Sequence, residues 1–276
     1  MPRKNRLWLH VVLIAVSIVF LTPFYCMVAT SLKGEAQIQD IATIKRILVP
    51  DPVRWANYAE VGQYIPVGLY FRNTIYVTLM SVVGTVFSCS LVAFGFSRLK
   101  WPGRDLVFLF VMSTMMLPVQ VTLVPLFIIF GKLGWVNSFK PLWVPTFFGA
   151  AFFIFLLRQF FLTLPRDLEE AAKIDGCGYF RIFWEVMLPL IKPALAAVIL
   201  FQFLWAWNDF QGPLVYLHDR SLLTLSLGLQ AFRHIHNAQW ALMLAAATMM
   251  TAPVIVVFFA AQRYFLEGIT LTGLKA

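Results

Sequence analysis

The chain has 276 residues, of which 60% are hydrophobic and only 13% charged, with a formal net charge of +9 and a mean hydropathy of +0.78. A soluble domain is about 45–50% apolar and about 25% charged, so an ordinary globular enzyme is disfavoured, and a disordered chain, which needs low hydrophobicity, is excluded. The informative measure is the number of times the chain can cross a bilayer.

Crossing the roughly 30 Å hydrocarbon core takes about 20 helical residues. Cut at every charged residue, the sequence leaves six long apolar stretches, at 7–32, 73–97, 106–131, 141–157, 193–208 and 234–262, which place candidate spans at about 7–32, 73–97, 106–131, 141–162, 190–210 and 238–262. The first follows a basic lead, Pro2-Arg3-Lys4-Asn5-Arg6. Its apolar run is longer than the core of a secretory signal, so it is expected to stay as an anchor. The second and third are long enough without adjustment, and between them lies Arg98-Leu99-Lys100-Trp101-Pro102-Gly103-Arg104. The fourth is marginal and is expected to gain length by letting Arg158 snorkel toward the headgroups. The fifth is also marginal and is expected to start early, in Val186-Met187-Leu188; the sixth is long enough. Lipid cannot satisfy an open sheet edge, and no run has the alternation of a barrel strand, so the fold class expected is an all-α membrane protein of six transmembrane helices forming one domain over 1–276.

Basic residues set the orientation. With the N-terminus inside, thirteen Lys and Arg fall on inner segments and nine outside, five of the nine in one long first outer loop. Density near the spans favours both termini in the cytoplasm. The net charge does not indicate nucleic acid, because no basic run exceeds two residues; it matches anionic lipid on the cytoplasmic flanks. Two outer segments, Gly34 to Phe71 and Gln211 to Gln239, are large enough to receive a binding protein or to cap a partner subunit.

Chemistry-bearing motifs are scarce. Gly131-Lys132 has Leu126 and Leu133 where a phosphate-binding loop needs Gly and Ser or Thr, so no nucleotide site is expected. Cys26, Cys89 and Cys177 have no metal or redox spacing and read as small apolar residues. His234-x-His236 lacks a third ligand nearby and reads as a loop. The charge-free spans hold no carboxylate to couple a proton or ion; only Asp209, at the end of span five, comes close. An ion-coupled secondary transporter, weakened by that absence, and a membrane-embedded enzyme stand as alternative readings. Gln202, Trp205, Trp207, Asn208 and Asp209 carry groups that could hold a sugar. The plainer reading puts the two indoles in an interfacial belt and Gln202 between helices.

The loop over 163–189 is different. Pro165 suits a first helical turn, Asp167, Glu169 and Glu170 suit the positive end of a helix and Lys173 the negative end. Gly176 can take the left-handed conformation that stops it. Leu168, Ala171, Ala172 and Asp175 share one shallow face. A second amphipathic stretch, from Tyr179 to Leu190, is interrupted by Pro189. Composition alone allows either a helical hairpin lying on the membrane or a docking element for a partner.

Glu170-Ala171-Ala172, three residues, Gly176, nine residues, then Val186-Met187-Leu188-Pro189 resembles the EAA signature of ABC importer permeases, departing only at Val186, where the family usually has Ile. The segments 31–33, 72–74, 93–104, 116–118, 157–161, 207–209 and the 262–265 exit with its 268–275 tail are similar to the carbohydrate-uptake, maltose-type branch, second permease subunit; glycerol-phosphate importer permeases are equally similar. The resemblance implies the type I importer fold and a place in the prokaryotic cytoplasmic membrane. It implies a non-catalytic permease subunit forming half of the pathway for a sugar, oligosaccharide, polyol or glycerol-phosphate. Its implied partners are a second permease subunit, two ATPase subunits carrying ATP and Mg, and an extracytoplasmic solute-binding protein, with no cofactor on this chain itself. It further implies that Glu170, Ala171, Ala172, Gly176, Leu188 and Pro189 serve ATPase coupling. Glu170 either contacts a basic residue of the ATPase or caps its own helix, the two alanines act as spacers, and Leu188-Pro189 sets the angle into span five. Gly268, Gly273 and Lys275 form a second candidate ATPase contact, and Gln202, Asn208 and Asp209 a candidate solute pathway.

Overall fold

The computed structural model describes residues 4–39, 48–232 and 239–273, with side chains over 7–39, 48–232 and 239–262. All regular structure among the described residues is helical. The principal helices are α1 (Lys4–Ser31), α2 (Val67–Arg98), α3 (Arg104–Ser113), α4 (Val119–Lys132), α5 (Ala151–Thr163), α6 (Asp167–Ile174), α7 (Lys192–Trp207) and α8 (Trp240–Gly273). Four helical stretches are long and apolar enough to cross a membrane: Leu7–Ser31, Val67–Arg98, Lys140–Thr163 and Trp240–Gln262. Two bent pairs, Arg104–Met116 with Val119–Lys132 and Tyr179–Leu190 with Lys192–Trp207, bring the number to six if each is one span.

The third span is therefore not the single straight run expected from its composition. Its halves meet at 99°. Pro118 has no N–H and its ring pushes Leu117 out of the helical region, to ψ 120°. Pro23, Pro125 and Pro253 lie within helices that continue, so a proline breaks the chain only where its neighbours also leave the helical conformation.

The chain divides into two compact units. One comprises Met1–Gly68 with Leu225–Pro253. Here Asn57 is buried and donates to the carbonyls of Ser31 and Lys33 at 2.7 and 2.8 Å, tying the helix Ala56–Tyr64 to the end of α1. Burial lowers the Lys33 amine from its ordinary range. Glu35 accepts the backbone N–H of Ala241 at 2.8 Å, so a carboxylate from far back in sequence satisfies an orphan donor at the start of α8. Along α1 no residue of the apolar window is buried.

The other unit comprises Leu69–Thr224 with Val254–Ala276. Its core joins Phe94, Phe153, Leu157, Phe161, Phe183 and Met187 with the small residues Cys89, Ala93 and Ala194. The face of α2 that enters it is built of Ser81, Gly84, Thr85, Ser88, Cys89 and Ala93, and small residues let helix backbones approach closely. At Gly84 a Cβ would lie 2.4 Å from both the Phe147 ring and Thr146 Oγ1. The span facing it is irregular: a 3-10 turn, Val144–Phe148, leads to Gly149 at φ 90° before α5 begins. Apolar surroundings forbid orphaned backbone groups, and α2 supplies the missing partners. Ser88 donates to the Thr146 carbonyl at 2.8 Å, and Cys89 Sγ accepts the Ala150 N–H at 3.3 Å. Cys89 is thus a backbone cap and not only a small apolar residue. Arg158, near the end of α5, is engaged within the subunit. Its Nε donates to the Phe96 carbonyl at 3.4 Å and its guanidinium lies 4.2 Å from the centre of the Phe108 ring.

Candidate functional site

The loop helix α6 is built as its sequence dictates. Asp167, Glu169 and Glu170 fill the first turn and Lys173 the last. It ends in a Schellman motif: the Cys177 N–H reaches the Ala172 carbonyl at 2.9 Å, the Gly176 N–H reaches Lys173 at 3.0 Å, and Gly176 sits at φ 79°. Only glycine takes that conformation without a steric cost. Nothing lies within 4 Å of the position a Cβ on Gly176 would occupy, so this part of the loop is open.

The expected shared face divides. Glu169 and Ala172 turn inward, Ala172 joining the core. Leu168, Ala171 and Asp175 stay exposed, as do Glu170 and Gly176. Of the two alanines, only Ala171 faces outward. In the same loop Ile174 is 86% exposed and Phe180 72%, apolar surface costly to leave in water.

The inward Glu169 carries the main finding at this site. Its Oε1 lies 2.9 Å from Nη1 of Arg98, the last residue of α2, with the two side chains 8% and 4% exposed. Nη2 of the same guanidinium donates to the Phe161 carbonyl and, at 2.8 Å, to the Leu164 carbonyl. One arginine thus joins the end of α2, the end of α5 and α6. Sequence reading missed both partners, counting Arg98 among the flanking cations and Glu169 among the acids of a first turn; the signal available was that Arg98 is the cation that directly closes span two.

After Gly178 the chain runs through Tyr179–Arg181, a π-helical stretch Ile182–Met187 and Leu188–Leu190. Single π turns recur where a helix must adapt to function. Phe94 touches both Phe161 and Phe183, with ring centres 5.9 and 5.3 Å away, so the stretch is packed against α2 and α5. The turn into α7 follows Leu188-Pro189, at Ile191, and measures 81°. Leu188 is half-buried and Pro189 exposed.

The candidate solute residues separate. Gln202, Trp205 and Asp209 line one hollow of about 690 Å³ together with Thr74, Ser81 and Thr224. Asn208 is exposed and uses its amide to cap its own helix, donating to the Leu204 carbonyl at 2.9 Å. Trp207 is not in an interfacial belt: it is 1% exposed, stacked on Phe203 and edge-on to Phe71. Gly212, overlooked in the sequence, is what lets Asp209 sit there. Its N–H donates to Asp209 Oδ1 at 3.0 Å, and a Cβ would come within 2.4 Å of Oδ2.

Near this hollow the polypeptide is pinned by two amides, Asn73 buried and Asn137 exposed. Asn73 donates to the Ser221 and Leu223 carbonyls at 2.9 and 3.0 Å. Asn137, at φ 61°, accepts the N–H groups of His218 and Asp219. The Ser221 N–H in turn holds the Asp219 carboxyl below its ordinary range. Gly268 and Gly273 lie on α8, and Lys275 falls outside the described residues, as do His234 and His236. No group of three His, Cys, Asp or Glu residues that could hold a metal ion is found among the described residues.

Straight and broken apolar helices, with a capped loop helix hung from two of them by one arginine, define a polytopic membrane protein with the ABC importer permease fold. The same fold is found in the crystal structure of a bacterial ABC transporter involved in the import of the acidic polysaccharide alginate, with TM-score 0.82 and 24% identity over 96% of this chain and 99% of that one. Residues 89–270 match the family of binding-protein-dependent transport system inner membrane components, and the chain belongs to that family. It is 30% identical to the arabinooligosaccharides transport system permease protein AraQ of Bacillus subtilis (strain 168), over 98% of this chain and 96% of that protein. It is 34% identical to the sn-glycerol-3-phosphate transport system permease protein UgpE of Yersinia pestis bv. Antiqua (strain Antiqua), over 97% and 96%. The chain is a permease subunit of an importer of the inner membrane.

Proposed function

We propose that this subunit forms half of a heterodimeric solute pathway, that both termini and the 163–189 loop face the cytoplasm, and that α6 seats in a groove of an ATPase subunit that binds ATP and Mg. The observation that carries this reading is the orientation of α6. Glu169 and Ala172 are committed to the subunit itself, while Glu170, Ala171, Ile174 and Gly176 are exposed. A helix held rigidly on one side and bare on the other transmits force from whatever binds the bare side. Closure of the ATPase on ATP drags α6, and Arg98 carries that displacement into α2 and α5; reciprocity requires that solute delivery from outside also bias the ATPase toward closure. A solute-binding protein makes that delivery, and the 268–275 segment is a second contact with the ATPase.

The hollow at Gln202, Trp205 and Asp209 favours a neutral sugar or oligosaccharide over a glycerol-phosphate, because a carboxylate repels a phosphate ester and accepts hydroxyl groups well. The relatives named for arabinooligosaccharides and for glycerol-3-phosphate bracket that choice. The test is to purify the tagged chain with its associated proteins and reconstitute ATP-dependent uptake of labelled oligosaccharide and of glycerol-3-phosphate. Copurification of an ATPase and a second permease, with oligosaccharide uptake, supports the proposal. Uptake by this chain alone, driven by an ion gradient, overturns it.

A further inference from the structure

A second hollow, of about 700 Å³, opens beside α6. It is lined by Arg98, Lys100, Arg104, Arg166 and Lys173 against only two carboxylates, Glu169 and Glu170. Glu169 is already matched by Arg98, and Arg104 holds Asp105 at the rim. Lys100 and Arg166 meet no carboxylate among the described residues, and Arg98 Nε has no hydrogen-bond partner although its side chain is only 4% exposed. Cations gathered round one hollow repel each other unless an anion lies among them.

The surroundings narrow the choice of anion. A neighbouring hollow shares Lys100, Arg104 and Arg166 and extends to Trp101 and Leu106. From Leu106, α3 exposes Leu109 and Phe110, each more than 60% accessible. A cationic hollow therefore opens onto an indole and then onto a bare apolar helix, which suits an amphiphile with an anionic head. We propose that this hollow binds the phosphate of an anionic phospholipid whose acyl chains lie along the Leu106–Phe110 face of α3. The net positive lining selects an anionic headgroup over a zwitterionic one, whose own cation would be repelled. Bound there, the lipid neutralises the cations behind α6 and holds the loop helix at the membrane surface. The inference rests on the reading that the loop over 163–189 lies on the cytoplasmic side.

The assembled importer is placed in nanodiscs of phosphatidylcholine with or without phosphatidylglycerol, and lipids retained after extraction are weighed by native mass spectrometry. The wild-type complex is expected to retain phosphatidylglycerol. The variant Lys100→Gln/Arg104→Gln/Arg166→Gln is expected to retain at least about tenfold less, since each basic residue near the surface contributes roughly 1 kcal/mol. Equal retention by the variant overturns the proposal. So does a gain in the thermal midpoint of the wild-type complex from inorganic phosphate in pure phosphatidylcholine discs that equals the gain from phosphatidylglycerol, which assigns the hollow to free phosphate. Loss of the ATPase from the variant with lipid retention unchanged overturns it too, giving the hollow to an acidic side chain of the partner. The sidedness is read separately by a membrane-impermeant maleimide on Cys177 in a Cys26→Ala background. Labelling in inside-out vesicles alone supports it, and labelling from outside overturns the orientation whatever the lipid result.

Discussion

Arg98 and Glu169 meet at 2.9 Å in the interior of the subunit, 71 positions apart in sequence, where α2 ends and the loop helix begins. Removing one partner strands the other's charge away from water, which typically costs about 3–5 kcal/mol, whereas replacing both with apolar groups is often close to neutral. Glu169→Ala is expected to lower the thermal midpoint of the purified complex sharply. Arg98→Met combined with Glu169→Leu is expected to recover most of that stability but not the coupling of ATP hydrolysis to uptake, because the tie to the Leu164 carbonyl is lost as well. Full recovery of coupled transport by the double variant would falsify the transmission role.

Gly176 separates backbone cost from partner contact. A side chain there meets nothing within its own chain, so the in-chain penalty is only that of the left-handed conformation, about 1–2 kcal/mol. Gly176→Asp is expected to reach the membrane at near-normal levels yet abolish uptake. Immunoblotting of membranes alongside labelled-solute uptake decides the matter, and normal uptake removes Gly176 from the docking surface.

The two alanines of the motif should fail differently. Ala172→Leu overpacks a filled core and is expected to cost about 1–3 kcal/mol, visible as a lower thermal midpoint. Ala171→Leu is expected to leave the midpoint unchanged and to reduce the amount of ATPase that copurifies. If both variants lose stability equally, the assignment of inward and outward faces is wrong.

Asp209 and Gly212 should act as one unit. Asp209→Ala is expected to reduce uptake by about tenfold, equivalent to ~1.4 kcal/mol of lost solute or pathway interaction. Gly212→Ala puts a methyl group where Oδ2 now lies and is expected to reproduce that loss without removing the carboxylate. Initial uptake rates normalised to membrane-inserted protein measure both, and a Gly212→Ala variant with wild-type uptake separates the two residues.

Asn73→Ala removes two hydrogen bonds to the Ser221 and Leu223 carbonyls and leaves those acceptors without their amide. The expected cost is about 1–3 kcal/mol. Limited proteolysis should then cut within 217–224 in the variant and spare the wild type.

Local chemistry determined a large part of this protein. Charge-free runs marked the apolar helices, four of them long enough to cross a membrane and up to six with the bent pairs, because lipid accepts only apolar surface and paired backbone. The sequence of α6 carried its own start and stop: acids in the first turn, and at Gly176 the one residue type that enters the left-handed region freely. What lay beyond reach was decided by contacts between distant segments. Glu169 and Glu170 are chemically alike and adjacent, yet one is buried and one exposed. The roughly 100° rotation between consecutive helical residues assigns them to different faces, but only the arrival of Arg98 from the end of α2 determines which face turns inward. Sequence spacing fixed which residues share the loop helix; tertiary packing decided which of them hold it to the subunit and which remain free to bind.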